Sequence, residues 1–482
     1  MSSVGIDFGT SNCFAHVATA DGVFPVRLDG AAYGLPSVVY AARREVQARP
    51  IHEAEVERRL KSMRTQLRRA KPGASQQLDD VALEKLIRDG LRREALDAAS
   101  QAWHDQTILS AIEAGQDIVF GEEALRLHFA EPLGGFLVKS PKAFLGSDME
   151  LRRLAAFEEI ITVMLRHIRR EAEAMSGSEI VRAVLGRPVR YQGIGGDAAD
   201  AQAIGVMDRA AARAGFTDVR YELEPLAAAY EYERAIDREQ VVLVVDVGGG
   251  TTDCVMVRLS RDRVDLRDRS LDILGVSGDR VGGTDFDESL AWRAFMPAFG
   301  KDAMLKSGRP LPHSVLHDAI SIRDVPAQAR FARAAEEIER LAQEAVEPRL
   351  LERLLTLHEQ QLQYQLVHQA EMAKIGLSTV EQLDASLAFV ETGLDIAVGR
   401  ALFGRSAAPH IDKIRALARE AMDAAGVKPD VVFMTGGMAI SPIVSAAITE
   451  LAGADIPIRS SEMLGTVGKG LGLCAQRAFE RP

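Results

Sequence analysis

Apolar and polar positions follow the same order at two distant places in the chain. Val4-Gly5-Ile6 leads into Asp7 and Phe8, then a turn of glycine and hydroxyls (Gly9-Thr10-Ser11-Asn12), then a second apolar run from Cys13 through Phe14 to Val17. Val241 to Val245 leads into Asp246, then Val247-Gly248-Gly249-Gly250-Thr251-Thr252-Asp253, then Cys254 to Val257. Two apolar runs flanking a glycine-rich turn predict a β-hairpin, so the pattern predicts two hairpins of one design. Val431 to Met434 is a run of the buried-strand kind that passes Thr435 into Gly436-Gly437, and Ser441-Pro442 then opens an apolar-periodic run from Ile443 to Leu451. This reads as strand, turn, helix, with the helix N-terminus facing whatever binds.

Other stretches read as helix. Glu224-Pro225-Leu226-Ala227-Ala228-Ala229-Tyr230 and Gly465 to Ala475 are rich in small residues, which permits close packing of two helices and a hinge between them. Ala327 to Leu377 keeps a helical pattern almost without interruption, with Pro348 opening a second helix. Between Tyr40 and Asp117, Leu60, Met63 and Leu67 mark one helical face. Arg58, Arg59, Lys61, Arg64, Arg68, Arg69 and Lys71 bring positive charge there with no acid among them. Pro72-Gly73 breaks that helix and Leu78 to Ala99 reads as a further amphipathic one. A solvated charged face and a docking site for an acidic partner are both open readings of the basic run.

Composition narrows the classes of function. The 482 residues suggest about three compact units. At 47% hydrophobic and 26% charged the chain is an ordinary folded one. Lys+Arg 58 against Asp+Glu 69 gives a net charge of −11, so no global positive field draws in nucleic acid or anionic lipid. Strand-like sequence begins at Val4, leaving no room for a signal peptide, and no apolar stretch reaches about 18 residues. The expected compartment is the cytoplasm. Cys13, Cys254 and Cys474 are too few and too scattered for a disulfide framework; Cys13 and Cys254, at equivalent places in the two hairpins, read as buried apolar filler. Several enzyme classes drop out. Gly465 to Gly470 lacks the length and hydroxyl of a Walker A loop, His358-Glu359-Gln360-Gln361-Leu362 lacks the second zinc-protease histidine, and no Gly-x-Ser-x-Gly elbow occurs. His313 and His317 have no evident third ligand and read as solvated histidines.

The duplicated hairpins carry the chemistry. Glycines let backbone N–H groups approach an anion, neighbouring hydroxyls add donors, and an Asp at the end of a strand can hold a hydrated cation. Two such turns read as two jaws on one polyphosphate.

Together these motifs resemble the actin-like ATPase superfamily, and within it the nucleotide-binding domain of the seventy-kilodalton heat-shock chaperones of the DnaK type. Asp7 to Asn12 is similar to the first phosphate loop, Asp246 to Asp253 to the second, Glu224-Pro225 to the first connecting helix, Gly436-Gly437 to the adenosine motif and Gly465 to Gly472 to the second connecting helix. Gly282-Gly283-Thr284-Asp285-Phe286-Asp287 resembles the family's Gly-Gly-Glu-Asp-Phe-Asp. Ser140 to Gly146, Gly186 to Val189 and Glu371 to Ser378 further resemble the bacterial YegD-like group of chaperones, which end after the nucleotide domain.

The resemblance implies an α/β, actin-like fold: two lobes of duplicated RNase H-like domains with mixed sheets and helical insertions. Residues 1–238 would form lobe I with a helical insertion at 45–115. Residues 239–463 would form lobe II with a helical subdomain near 300–390, and 464–482 a helix returning to lobe I. It implies ATP or ADP with Mg²⁺, the metal held by Asp7 and Asp246 through water. Thr10, Ser11 and Thr251, with the amides of Gly9, Gly249 and Gly250, would cradle the β- and γ-phosphates, Thr251 would also orient the attacking water, and Asn12, Gly248, Thr252 and Gly283 would join the nucleotide site. Lys142 would reach the γ-phosphate, with Lys139 as its competitor, and Glu224 would sit near the water or the metal shell. Glu371, Lys374 and Ser378 would share one helical face toward ribose and adenine, with Gly436, Gly437 and Met438 opposite. Ile375 and Ile440 stand where the chaperones usually place arginines over the base, which leaves two readings, an aliphatic clamp and weaker selection of adenine.

The leading expectation is a slow Mg-dependent ATPase of chaperone type, monomeric, whose lobes open and close with nucleotide and whose output passes to a protein partner or co-chaperone, in one reading through the insertion. The few residues left after the last helix predict no peptide-binding domain. A filament former of the bacterial actin (MreB) type and a metabolite kinase of the same superfamily are the alternatives.

Overall fold

The computed structural model describes residues 2–46, 48–70, 80–104, 106–113, 117–192, 195–264, 266, 268–460 and 465–479. They fall into two compact units, one of 1–40, 119–133 and 137–482, the other of 41–118 and 134–136.

Both hairpins form, and each nucleates a sheet. In the first, β1 (Ser3–Phe8) and β2 (Asn12–Thr19) pair antiparallel with Asp7 opposite Phe14 and Phe8 opposite Cys13. β3 (Gly22–Pro25) continues the sheet beyond β2, while β4 (Arg182–Arg187) and β5 (Asp218–Leu223) add parallel strands beyond β1, giving the order β3-β2-β1-β4-β5. The second hairpin pairs β6 (Gln240–Val247) with β7 (Thr252–Leu259), Asp246 opposite Asp253. β8 (Ile273–Asp279) follows β7 antiparallel, and β9 (Val431–Thr435) and β10 (Ile458–Ser460) run parallel to β6, giving β8-β7-β6-β9-β10. Strand for strand the second sheet repeats the first. Val242 to Val245 of β6 and Val431 to Met434 of β9 are apolar and buried, as strands at the centre of a covered sheet require.

Four helices bear on the site: α1 (Glu224–Glu233), α2 (Gly283–Leu290), α3 (Gln363–Gly376) and α4 (Thr466–Phe479). The small residues of α1 and α4 serve close packing. A Cβ at Gly470 would lie 1.8 Å from the carbonyl oxygen of Ala227, and one at Gly5 of β1 would lie 2.1 Å from the amide of Gly472. Only glycine admits backbone that near. The helical stretch from Ala327 proves to be several helices: Val325–Phe331, Ala335–Glu344, Pro348–Glu359 and α3, with Pro348 in the first turn as expected. Pro442–Ala452 is the helix after the glycine pair.

Cys13, Cys254 and Cys474 are all free and buried. His317 stacks on Trp292 at 3.6 Å between ring centroids and His313 meets the same ring edge-on, so aromatic packing occupies both. Both stay exposed, as expected of solvated histidines. Among the described residues no group of three or more metal-ligating side chains occurs, and no helix is long and apolar enough to cross a membrane.

In the other unit, helices Glu53–Ala70 and Asp80–His104 pack through Val56, Leu60 and Met63 against Leu83, Ile87 and Leu91. The basic run finds acids that the local sequence hides. Arg59 makes a two-pronged pair with Glu94 at 2.7 and 2.6 Å, Arg58 pairs with Glu55, and Arg88 from the second helix grips Glu53. Lys71, the Pro72-Gly73 break and Leu78 lie outside the described residues, as do the side chains of Leu67, Arg68 and Arg69.

Candidate functional site

The two hairpin turns meet. A Cβ at Gly249 would lie 1.9 Å from the Ser11 hydroxyl, and one at Gly250 would lie 2.8 Å from the Thr10 side chain. Glycines in the second turn are what let the hydroxyls of the first come against its backbone. The turn Gly282-Gly283 closes on the same place: Gly283 and Thr284 donate their amides to the carbonyls of Gly248 and Gly249, each at 2.9 Å.

Behind the turns lies a cluster of buried charge. Lys142 and Glu224 form an ion pair in which both side chains are at most a tenth exposed. Lys142 stands on the single 3-10 turn Pro141–Phe144, and Ser140 before it takes the left-handed conformation (φ 58°), uncommon for a residue with a side chain. Burial pulls the Lys142 ammonium down, but Glu224 and then Tyr191 and Asp7 more than offset this and hold its pKa above the ordinary lysine value. Asp7 and Asp246, at the ends of β1 and β6, are both pushed well above the carboxylate range, first by burial and next by the charge of Glu224, with Lys142 opposing. Asp253 is raised to about 7, again chiefly by burial, although one oxygen accepts the Val189 amide at 2.6 Å. Its other oxygen is buried without a hydrogen-bond partner among the described residues. Gly186 backs onto Glu224, where a Cβ would lie 3.0 Å from its side chain, so the Gly186 to Val189 segment touches both acids.

Two residues of this site went unread in the sequence. Ser37 is fully buried; its hydroxyl donates to the Gly9 carbonyl at 2.6 Å, its amide to the Ser11 carbonyl at 2.8 Å, and its own carbonyl accepts the Ser140 amide at 2.7 Å. It ties the first turn to the Lys142 turn. Tyr191 is buried with its hydroxyl unpartnered among the described residues, and burial raises it to about 12, with Lys142 and Glu224 acting on it in opposite senses. No motif in the sequence singles out either residue.

A family model described as "Hsp70 protein" matches residues 143–307. Curated relatives named "Chaperone protein DnaK" are 27% identical over 354 residues in Thermotoga neapolitana and 26% identical over 353 residues in Thermotoga petrophila and Thermotoga maritima. Each alignment covers 70% of this chain and 48% of the relative. The chain is similar to Hsp70 proteins over these stretches. It spans about half the length of the curated relatives it matches. The fold is of the actin-like class, to which the two sheets of like strand order correspond. The matched segment contains Glu224, the second hairpin and Gly283, whereas the first hairpin, Lys142 and the 371–378 segment lie outside it.

Of the remaining expected residues, Lys374 and Met438 lie against Gly283. Lys374 on α3 pairs with Asp287 at 2.8 Å and donates to the Gly283 carbonyl at 3.2 Å. Met438 is buried and its amide donates to the Val247 carbonyl at 3.1 Å, while a Cβ at Gly436 would lie 2.5 Å from an Asp246 carboxylate oxygen. Gly437 has open space beside it. Glu371 binds Lys139 at 2.6 Å, which separates the two lysines: Lys142 joins the carboxylate cluster and Lys139 joins α3. The Lys139 ammonium holds the Glu371 carboxyl below its usual range against the opposing effect of burial.

Two expectations change. Ser378 does not share the helical face of Glu371 and Lys374, because α3 ends at Gly376 and Ser378 sits in the following turn, its amide on the Ile375 carbonyl. Thr252 is fully buried and gives its hydroxyl to the Val281 carbonyl at 2.7 Å, so its side chain braces the turn from behind. Ile375 and Ile440 are 49% and 64% exposed.

Proposed function

We propose that the protein binds ATP with magnesium between its two hairpin turns and hydrolyses it slowly, as a chaperone-like ATPase. One observation carries the reading: two turns of like design, far apart in sequence, face each other over a single buried cluster of Asp7, Asp246, Glu224 and Lys142.

The donor set fits a hydrated divalent ion. Asp7 and Asp246 repel each other and Glu224 while one lysine compensates, and a cation held through water would relieve that repulsion. Bound magnesium supplies charge neutralisation on the phosphate oxygens. The chain does the positioning: the Gly9, Gly249 and Gly250 amides and the Thr10 and Ser11 hydroxyls cradle phosphate, Lys142 stabilises charge on the transferred group, and Thr251 and Glu224 orient water for in-line attack. Glu371, Lys374, Met438 and Gly436-Gly437 border the nucleoside, with Ile375 and Ile440 flanking the base.

In this reading the two sheets are the cores of lobes at 1–238 and 239–463, and α4 returns to the first. Nucleotide gripped from both sides favours closure and loss of the γ-phosphate relaxes it. A protein partner or co-chaperone would sense the change, with the 45–115 segment as its docking surface, and a cytoplasmic monomer of YegD-like kind completes the proposal. Thr251→Ala should abolish phosphate release from ATP while ATP still binds in isothermal titration. Unchanged turnover would refute the assignment.

A further inference from the structure

A cavity of ≈ 610 Å³ lies off the hairpin turns, bounded on one side by Ala143 and Phe144, which follow Lys142, and on the other by Arg280, Asp285, Glu288 and Arg323. Arg323 is only 8% exposed. One of its terminal nitrogens, Nη2, pairs with Asp285, but Nε and Nη1 have no hydrogen-bond partner among the described residues. The nearest further acid, Glu288, stands 3.8 Å from Nε, beyond hydrogen-bond reach. Arg280 is no better served: its contacts to Gln192 Oε1 and the Arg323 carbonyl are both 3.4 Å. Two guanidiniums thus sit together, partly desolvated, with donors unspent. Burial and the neighbouring Arg323 charge both act to lower the Arg280 pKa. Leaving buried charged donors unpaired is costly, and an anion bridging the two would remove the cost.

The carboxylates around the cavity do not fill that role. Asp285 is held by Arg323 and by the Gly282 amide at 2.7 Å, and Asp324 caps the helix Val325–Phe331 through the Ala327 amide. Glu288, whose carboxyl burial raises to about 7, stops 3.8 Å short of the Arg323 Nε and makes no hydrogen bond to it. Asp148, Glu150 and Arg153 are exposed at the rim. Planar guanidiniums bind phosphate oxygens in pairs, and two of them can engage more acceptor atoms than a carboxylate offers. We propose that this cavity is a binding site for inorganic phosphate, held by Arg280 and Arg323 and separate from the hairpin turns. That the phosphate comes from hydrolysis rests on the proposed function; the anion site itself does not.

The test titrates the full chain with inorganic phosphate at constant ionic strength, followed by isothermal calorimetry and ³¹P line width. Three proteins are compared: wild type, Arg280→Met, and the double variant Lys142→Met/Glu224→Gln, which alters the hairpin site. One phosphate per chain is expected. Arg280→Met, with an unchanged circular dichroism spectrum, should weaken it by about tenfold or more through loss of a charge-assisted contact, and the double variant should bind as wild type does. Arg323→Lys, which keeps the charge but not the fork, should give the same loss if Arg280→Met fails to fold. No binding by wild type overturns the proposal. So does binding that survives Arg280→Met and disappears in the double variant, a result that would leave the nucleotide reading standing. Phosphate binding that depends on Arg280 in a chain that does not bind ATP would retain the site and remove that reading.

Discussion

Lys142 and Glu224, 82 positions apart in the chain, form an ion pair in the interior of the larger unit. Removing one partner from a buried pair strands the other, at a cost of about 3–5 kcal/mol, whereas replacing both by neutral groups is often close to neutral. Lys142→Met should therefore lower the unfolding midpoint in urea and abolish turnover. Lys142→Met/Glu224→Gln should recover most of the stability and none of the turnover. Equal midpoints for wild type and Lys142→Met would contradict the burial described.

Ser37 joins the first turn to the Lys142 turn through three hydrogen bonds, of which only one uses its side chain. Ser37→Ala removes that bond and leaves the Gly9 carbonyl short of a donor, for a destabilisation of about 1–3 kcal/mol. Because the lost bond positions the turn that bears phosphate contacts, kcat should fall more than ATP affinity does. Ser37→Cys, with a weaker donor of similar shape, should lie between the two, and a stability loss without any change in kcat would confine Ser37 to a structural role.

His128 is buried among the rings of Tyr40, Phe129 and Tyr364, and burial lowers its pKa from 6.5 to about 4. Between those values the unfolded chain takes up the proton and the folded chain does not, so stability falls as pH drops through this window and is regained above it. His16 is lowered to about 4 as well, by burial and then by Lys469, and acts in the same sense. Unfolding free energy followed from pH 7 to 4 should fall less steeply in His128→Phe than in wild type, by up to one proton. Identical slopes would show that His128 is not buried in the neutral form.

The exposed Ile375 and Ile440 give the base apolar cover without hydrogen-bond readout. If they clamp adenine by dispersion, calorimetric titration should find ATP tighter than GTP, and Ile375→Ser with Ile440→Ser should weaken ATP binding by a few fold to about tenfold, the scale of partial loss of two aliphatic contacts. Equal affinity for the two bases would remove the clamp.

Much of the site was open to reading because its signals are local. Apolar runs around a glycine turn, the Pro225 and Pro348 helix starts and the strand that ends at Gly436-Gly437 each depend on neighbours a few positions away. The end of α3 was misjudged for the same reason: the pattern through Ser378 continues a helical spacing, but the backbone turns after Gly376. The basic run is acid-free only locally, since Glu94, which pairs with Arg59, lies 35 positions along.

Taken alone, the sequence determined the two hairpins, their equivalence and the residue types at their turns, because backbone conformation and strand alternation answer to short-range sterics and patterning. Tertiary structure decided which charges meet. Lys142 and Lys139 stand three positions apart and are indistinguishable by type, yet one is carried against Glu224 and the other against Glu371, 232 positions away. That choice, like the buried places of Ser37 and Tyr191, depends on how strands and helices from distant parts of the chain stack, and burial then raises the carboxyls of Asp7, Asp246 and Asp253.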